Sequence, residues 1–222
     1  MRKFLTLLVF AAAVIAVIIV FNGRNGNALQ DEQSSFHKTR GVLPSDNSAN
    51  IDILLVNANS PLHQNYIPAD LINLFEQKER HFQLSRSDIE ICKVVFDAMQ
   101  NMFSAAKNDG IEGFIITSGY RSREKQIEIF ANTSSGFVAL PGTSEHESGL
   151  AFDVTAYGDD NFELTPQFEW LLKNCGDYGF ILRYPEGKED ITGFPYEPWH
   201  YRYVGTPYAK EIMSLGISLK NI

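Results

Sequence analysis

The run "LAFDVTA" (residues 150–156) is apolar and rich in strand-forming residues, yet it carries an aspartate, Asp153, at its centre. A carboxylate placed there is unfavourable unless it is paired or binds a metal. Any fold this chain adopts must therefore bring a partner to Asp153. One candidate is already close in sequence, because His146 lies seven residues earlier in "GTSEHESGLAFDV" (142–154). His146 and Asp153 alone are compatible with a hydrogen-bonded pair that steadies a loop, or with half of a metal site. The other histidines and the surrounding elements bear on the choice.

Around this strand the periodicity predicts single strands set among helices. Ser87 and Glu90 read as a capping box opening one long helix to Gly110, with an apolar stripe at Ile91, Val94, Val95, Ala98, Met102 and Ala105. "GFIITSGY" reads as a buried strand ending at Ser118, "SREKQIEIFANTSS" as a helix, and "FILRYP" and "HYRYVG" as two further strands. Thr165-Pro166 and Thr206-Pro207 each read as an N-cap followed by proline at the first helical position. The strands do not alternate regularly with helices as in a doubly wound sheet. The expected class is α+β, with a small, mostly antiparallel sheet that carries the site and helices packed on one side.

This folded body is expected over 51–222. Residues Phe4 to Phe21 form an uncharged, apolar stretch preceded by Arg2 and Lys3. It is about long enough to cross a bilayer, so residues 1–22 read as a signal-anchor or signal peptide, the uncleaved anchor being favoured because no A-x-A-like cleavage site follows. The cations before the span place the rest of the chain on the extracytoplasmic side of the cell membrane, or secreted if the segment is cleaved. Residues 23–50 are polar and aperiodic and read as a flexible tether. A net charge of −8 argues against a nucleic-acid partner, which would want a basic face. Cys92 and Cys175, the only cysteines, sit in apolar periodic contexts and read as buried small hydrophobes.

Of the five histidines, His37 falls in the tether, and His63 and His81 lie in polar, loop-like contexts without a telling acidic neighbour. His200 is different. It follows Glu197 by three residues in "YEPWHYRYVG", an extended or turning segment because Pro198 disfavours helix before it. Together His146, Asp153 and His200 form the two-nitrogen, one-oxygen donor set that a catalytic zinc uses when one position stays open for water. Glu197 would then be free to act as a base on that water, and Arg121, at the end of the strand "FIITSGYR", is placed to stabilise an oxyanion.

The stretches "SGYRSREKQ", "PGTSEHESGLAFDV", "YGFILRYPEGKEDITGFPYEPWHYRYVG" and "LLVNANSPLHQNYIPADL" closely resemble the VanY-type D-alanyl-D-alanine carboxypeptidases, zinc peptidases of peptidoglycan stem peptides. The resemblance runs from about residue 53 to the C-terminus and includes the signatures S-x-H-x-x-G-x-A-x-D and E-x-W-H. It implies His146, Asp153 and His200 as zinc ligands, Glu197 as catalytic base and Arg121 as the oxyanion's partner. It further implies Gln126, Ser144, Tyr184 and Trp199 around the substrate's terminal D-alanine, although a serine before a turn also serves simply as a cap. Release of D-alanine from pentapeptide stems (D,D) is the leading expectation and release from tetrapeptide stems (L,D) the alternative. A non-catalytic wall-binding module is a third reading, whose mark would be loss of the base or a ligand. No protein partner is implied.

Overall fold

The computed structural model describes residues 53–133, 138–158 and 161–219. The expected anchor and tether lie outside the described residues. Among these, no helix is long and apolar enough to cross a membrane.

The centre is a five-stranded sheet built from β2 (Gln83–Leu84), β4 (Phe114–Ser118), β5 (Ala151–Ala156), β6 (Phe180–Leu182) and β7 (His200–Tyr203), in the order β2-β4-β5-β7-β6. Only the β2–β4 pair is parallel. A two-stranded antiparallel ribbon of β1 (Leu71–Asn73) and β3 (Glu90–Cys92) stands beside it. Among the described residues, five helices complete the mixed α+β fold: α1 (Lys93–Asn108), α2 (Arg123–Asn132), α3 (Pro166–Asn174), the single turn α4 (Glu189–Thr192) and α5 (Thr206–Leu215).

Strand side chains alternate between faces, and here the alternation divides the sheet by chemistry. Phe114, Ile116, Phe152, Val154, Tyr201, Phe180 and Leu182 join Val95, Met99, Met102 and Phe103 of α1 and Phe168 and Leu171 of α3 in the main core. Phe103 is at its heart, with ring centroids 4.7 Å from Phe114, 5.3 Å from Phe82 and 6.3 Å from Phe152. Burial of each such side chain contributes about 1.5–3 kcal/mol. The intervening residues Asp153, His200 and Arg202 point to the opposite face. Ile181 also alternates away from the main core and packs with Val204, Ala209 and Ile212 beneath α5. The helices are therefore not confined to one side, as the sequence had suggested.

Two local expectations are corrected. The helix predicted from Ser87 begins only at Lys93, with Cys92 as its N-cap. Residues 90–92 are strand because Leu71–Asn73 pair with them, and because the Glu90 carbonyl accepts from Tyr120 N–H while Cys92 N–H donates to the Gly149 carbonyl. The expected apolar stripe shifts accordingly, and Phe96, Met99, Phe103 and Ala106 are buried beside Val95 and Met102. At α5, Gly205 rather than Thr206 is the N-cap. Thr165 does cap α3, accepting from Phe168 N–H, and Ser122 caps α2, accepting from Lys125 N–H. Both cysteines are buried, as expected, and both are free.

Candidate metal centre

β4 and β5 run in regular register until Thr117, where a bulge lets Ser118 oppose Asp153. Such a bulge re-aims the residues beyond it. It turns the chain through Gly119 towards Arg121 on the face that carries Asp153. On the other side of β5, Asp153 pairs in register with His200 of β7, which puts both side chains on the same face. His146 comes from a short 3-10 turn, Glu145–Ser148, whose end at Gly149 adopts a left-handed conformation (φ 69°) that returns the chain into β5. The spacing of His146 and Asp153 thus reflects one turn plus the entry to a strand.

The three side chains converge. Their ligand atoms all lie within 4.8 Å of one another. His146 Nε2 is 3.3 Å from one Asp153 oxygen, and His200 Nδ1 is 2.9 Å from the other. Tetrahedral zinc with bonds of about 2.0–2.2 Å separates its ligand atoms by about 3.3–3.6 Å, so the donor set suits that ion in its chemistry and the His146–Asp153 separation matches its spacing. The far nitrogens are also held. His146 Nδ1 lies 2.8 Å from the Gly119 carbonyl, which can only accept, so that nitrogen carries the proton and Nε2 faces the site. The use of a second partner to orient a ligating imidazole is a general feature of metal sites.

Electrostatics agree with this geometry. Burial alone would lower the His200 pKa, but hydrogen bonds to Asp153 and Glu145 raise it to about 9 without a metal. Asp153, despite desolvation, is held well below the usual carboxylate range by His146 and His200. A cation or proton is therefore strongly favoured between these residues. Glu197 behaves oppositely, since desolvation pushes its carboxyl up to about 7 against the pull of His200. Its Oε2 is 4.0 Å from His200 Nδ1, beside the donor set rather than within it. A tight turn holds it there, with Glu197 N–H donating to the Tyr184 carbonyl and His200 N–H to the Glu197 carbonyl.

Arg121 reaches the same face. Its backbone N–H donates to the His146 carbonyl at 3.2 Å, and its guanidinium donates to Gln126 Oε1 at 2.9 Å. Desolvation lowers its pKa, and Asp153 opposes that shift. Gln126 is the only buried residue of α2 and also donates to the Ala139 carbonyl at 2.7 Å. Ser144 is buried beside the 3-10 turn but makes no side-chain capping bond there. The Tyr184 ring packs 5.0 Å from the His200 ring, and Trp199 is 43% exposed. Trp199 lines a cleft of about 360 Å³ with Asp153, Thr117, Thr155 and Phe162, and of the expected site residues these two, Asp153 and Trp199, border it.

Sequence reasoning missed what lies behind His200. Glu145 is fully buried and faces His200 Nε2 at 3.4 Å, while Arg183 Nε (2.7 Å) and Arg202 Nη1 (3.0 Å) approach its other oxygen. Burial opposes the charge on Glu145, but the two guanidiniums outweigh it and keep the carboxyl well below its ordinary range. The signal was available, because Arg183 and Arg202 are cations within the strand-like runs "FILRYP" and "HYRYVG" and need a buried anion as much as Asp153 needs a partner. A second ion pair, between half-buried Arg123 and buried Glu147, ties α2 to the 3-10 turn, and Glu147 also accepts from Gly142 N–H at 2.7 Å.

The sequence model of the family "VanY: D-alanyl-D-alanine carboxypeptidase" matches residues 88–206. YodJ of Bacillus subtilis (strain 168), a protein named as a carboxypeptidase, is 40% identical over 197 residues, covering 82% of this chain and 70% of YodJ. Among solved structures, the LdcB LD-carboxypeptidase superimposes with a TM-score of 0.67 at 38% identity, covering 75% of this chain and 83% of LdcB. A mutant of the vancomycin-resistance D,D-pentapeptidase VanY, solved in complex with Zn(II), superimposes with a TM-score of 0.61 at 37% identity, covering 75% of this chain and 96% of that protein.

Proposed function

This chain belongs to the VanY family of D-alanyl-D-alanine carboxypeptidases, and from that membership we infer a zinc-dependent carboxypeptidase that releases the terminal D-alanine of peptidoglycan stem peptides. The observation that carries the reading is the convergence of His146, Asp153 and His200, with Glu197 alongside but outside the donor set. Zinc bound to such a set supplies a Lewis acid and lowers the pKa of water from about 15.7 to about 7.

The chain's own groups account for the remaining chemistry. Glu197, made more basic by its desolvated setting, accepts the proton of the attacking water and then delivers it to the leaving amine of D-alanine. Arg121, held by Gln126 and the His146 carbonyl, offers a fixed cation to the oxyanion that develops at the cleaved carbonyl. Tyr184 packs on His200 and fixes Glu197 through its carbonyl. Trp199 and the cleft beside Asp153 provide a surface for the peptide. Gln126 and Ser144 complete the proposed surroundings of the terminal D-alanine.

The D,D specificity is the leading reading, in keeping with the family and with the zinc-bound D,D-pentapeptidase. One observation favours the L,D alternative, the TM-score of 0.67 with the LD-carboxypeptidase against 0.61 with VanY. A non-catalytic wall-binding role would be marked by loss of the base or a ligand, and the presence of His146, Asp153, His200 and Glu197 in the sequence supports the catalytic reading instead. The apolar stretch Phe4–Phe21 supports attachment to the cell membrane with the catalytic body on the extracytoplasmic side, where peptidoglycan lies. Recovery of the full chain in the soluble cell fraction would contradict that attachment.

The catalytic reading is tested by measuring zinc content and D-alanine release together. One zinc per chain, lost with turnover in His146→Ala or His200→Ala, is expected. Tight binding of zinc by either variant would contradict the ligand set.

A further inference from the structure

The two imidazoles of the proposed zinc site present opposite nitrogens to it, His146 through Nε2 and His200 through Nδ1, and the groups behind them differ in kind. Behind His146 is a backbone carbonyl, Gly119. Behind His200 is a buried carboxylate, Glu145, kept charged by two arginines whose side chains are only 1% exposed. A neutral carbonyl fixes a tautomer; an ionised acceptor also makes the imidazole a stronger donor to a metal. Such a buried cluster would be an unusual way merely to fill space, since a well-packed apolar group of similar volume is often as stable.

We propose that Glu145 is a positioning residue for the metal, fixing His200 with its proton on Nε2 so that Nδ1 faces the zinc, and that Arg183 and Arg202 hold Glu145 in the orientation this requires. The inference rests on the zinc reading of the preceding subsection. Two acceptors face His200, Asp153 at Nδ1 and Glu145 at Nε2. Only the Asp153 side also faces His146 Nε2. With a metal held by the three ligands, His200 Nδ1 would carry no proton, and Nε2 would keep its proton towards Glu145. Arg202 also donates to the Leu54 carbonyl, so the support of His200 extends to a segment that precedes residue 88, where the family match begins.

The test is zinc affinity measured by competition with a chromophoric chelator, in the absence of any substrate. Glu145→Gln keeps the shape of the side chain and removes its charge, and is expected to weaken zinc binding about 10–100-fold while the protein stays folded by circular dichroism. Should the two arginines then unfold the protein, the charge-balanced pair Glu145→Gln with Arg202→Met is measured instead, with the same expectation. Arg202→Met alone removes one of the two cations that hold Glu145 but leaves it Arg183, and is expected to lower stability and to weaken zinc binding by less than Glu145→Gln does. Independently, histidine 15N spectra of the zinc-loaded parent are expected to show His200 ligated at Nδ1 and protonated at Nε2. Zinc affinity within threefold of the parent in a folded Glu145→Gln protein, or ligation of His200 through Nε2, overturns the proposal. A parent that binds zinc but releases no D-alanine would defeat the catalytic reading and leave this one standing, whereas a parent that does not bind zinc defeats both.

Discussion

Replacing Gly149 with alanine is predicted to destabilise the protein by about 2–5 kcal/mol, for two separable reasons. Gly149 has φ 69°, a conformation that an L-residue enters at a cost of about 1–2 kcal/mol. An added Cβ would also lie 2.7 Å from Cys92 Sγ and 3.2 Å from both Leu71 and Pro68. Cys92 is buried where β3 hands over to α1, and its N–H donates to the Gly149 carbonyl, so it has little room to yield. Overpacking of this kind costs about 1–3 kcal/mol. The sum is a large share of a typical stability of about 5–15 kcal/mol. Urea unfolding of the metal-free protein measures it, with Gly158→Ala as the comparison. Gly158 has a similar φ, 82°, but nothing within 4 Å of an added Cβ, and should show only the conformational part. If both variants lose the same amount, or Gly149→Ala loses less than about 0.5 kcal/mol, the steric reasoning fails. Because Gly149 closes the turn that presents His146, weaker zinc binding is expected to accompany the loss.

Glu197→Gln is expected to keep fold and zinc affinity while kcat falls about 10²–10⁴-fold, and undiminished turnover would remove Glu197 as the base. Gln126→Leu removes the shorter of the two side-chain hydrogen bonds of the Arg121 guanidinium, leaving the one to Ser118, and a fall of about ten- to a hundredfold in kcat/KM without loss of zinc is expected from steady-state kinetics. Glu145 contributes pH-dependent stability. Its folded pKa is depressed, so its contribution is fully present above the unfolded value of about 4.3 and is lost as pH falls through the folded one. The advantage of the parent over Glu145→Gln in urea unfolding, about 3–5 kcal/mol at pH 7, should shrink steadily below about pH 4, and a gap that widens there would contradict the ion-pair assignment.

Where local chemistry decided the structure, the sequence could be read. Asp153 in an apolar run predicted a partnered carboxylate, and the partners proved to be His146 and His200. Thr165-Pro166 and Ser122 opened their helices because a side-chain oxygen and a proline act within one turn. Tertiary pairing overrode the local signal at Ser87–Glu90, where the three residues of β1 capture 90–92 as strand before the helix can start. So short a strand has no readable period. Glu145 was hidden differently, since an acid next to a histidine looks like a solvated loop residue until strands far along the chain bring Arg183 and Arg202 to it. Tyr201 and Arg202, adjacent in β7, show how alternation sends one side chain to the core and the next to the site face.

The most direct test of the central claim is to incubate the zinc-loaded, full-length chain with matched pentapeptide and tetrapeptide stem peptides and follow released D-alanine by mass, with and without a chelator. The predicted result is one D-alanine from the pentapeptide, no further release from the tetrapeptide product, abolition by the chelator and recovery on adding zinc. Release from the tetrapeptide alone would replace the D,D assignment with L,D, and no release from either peptide by the zinc-bound protein would contradict the account of a carboxypeptidase.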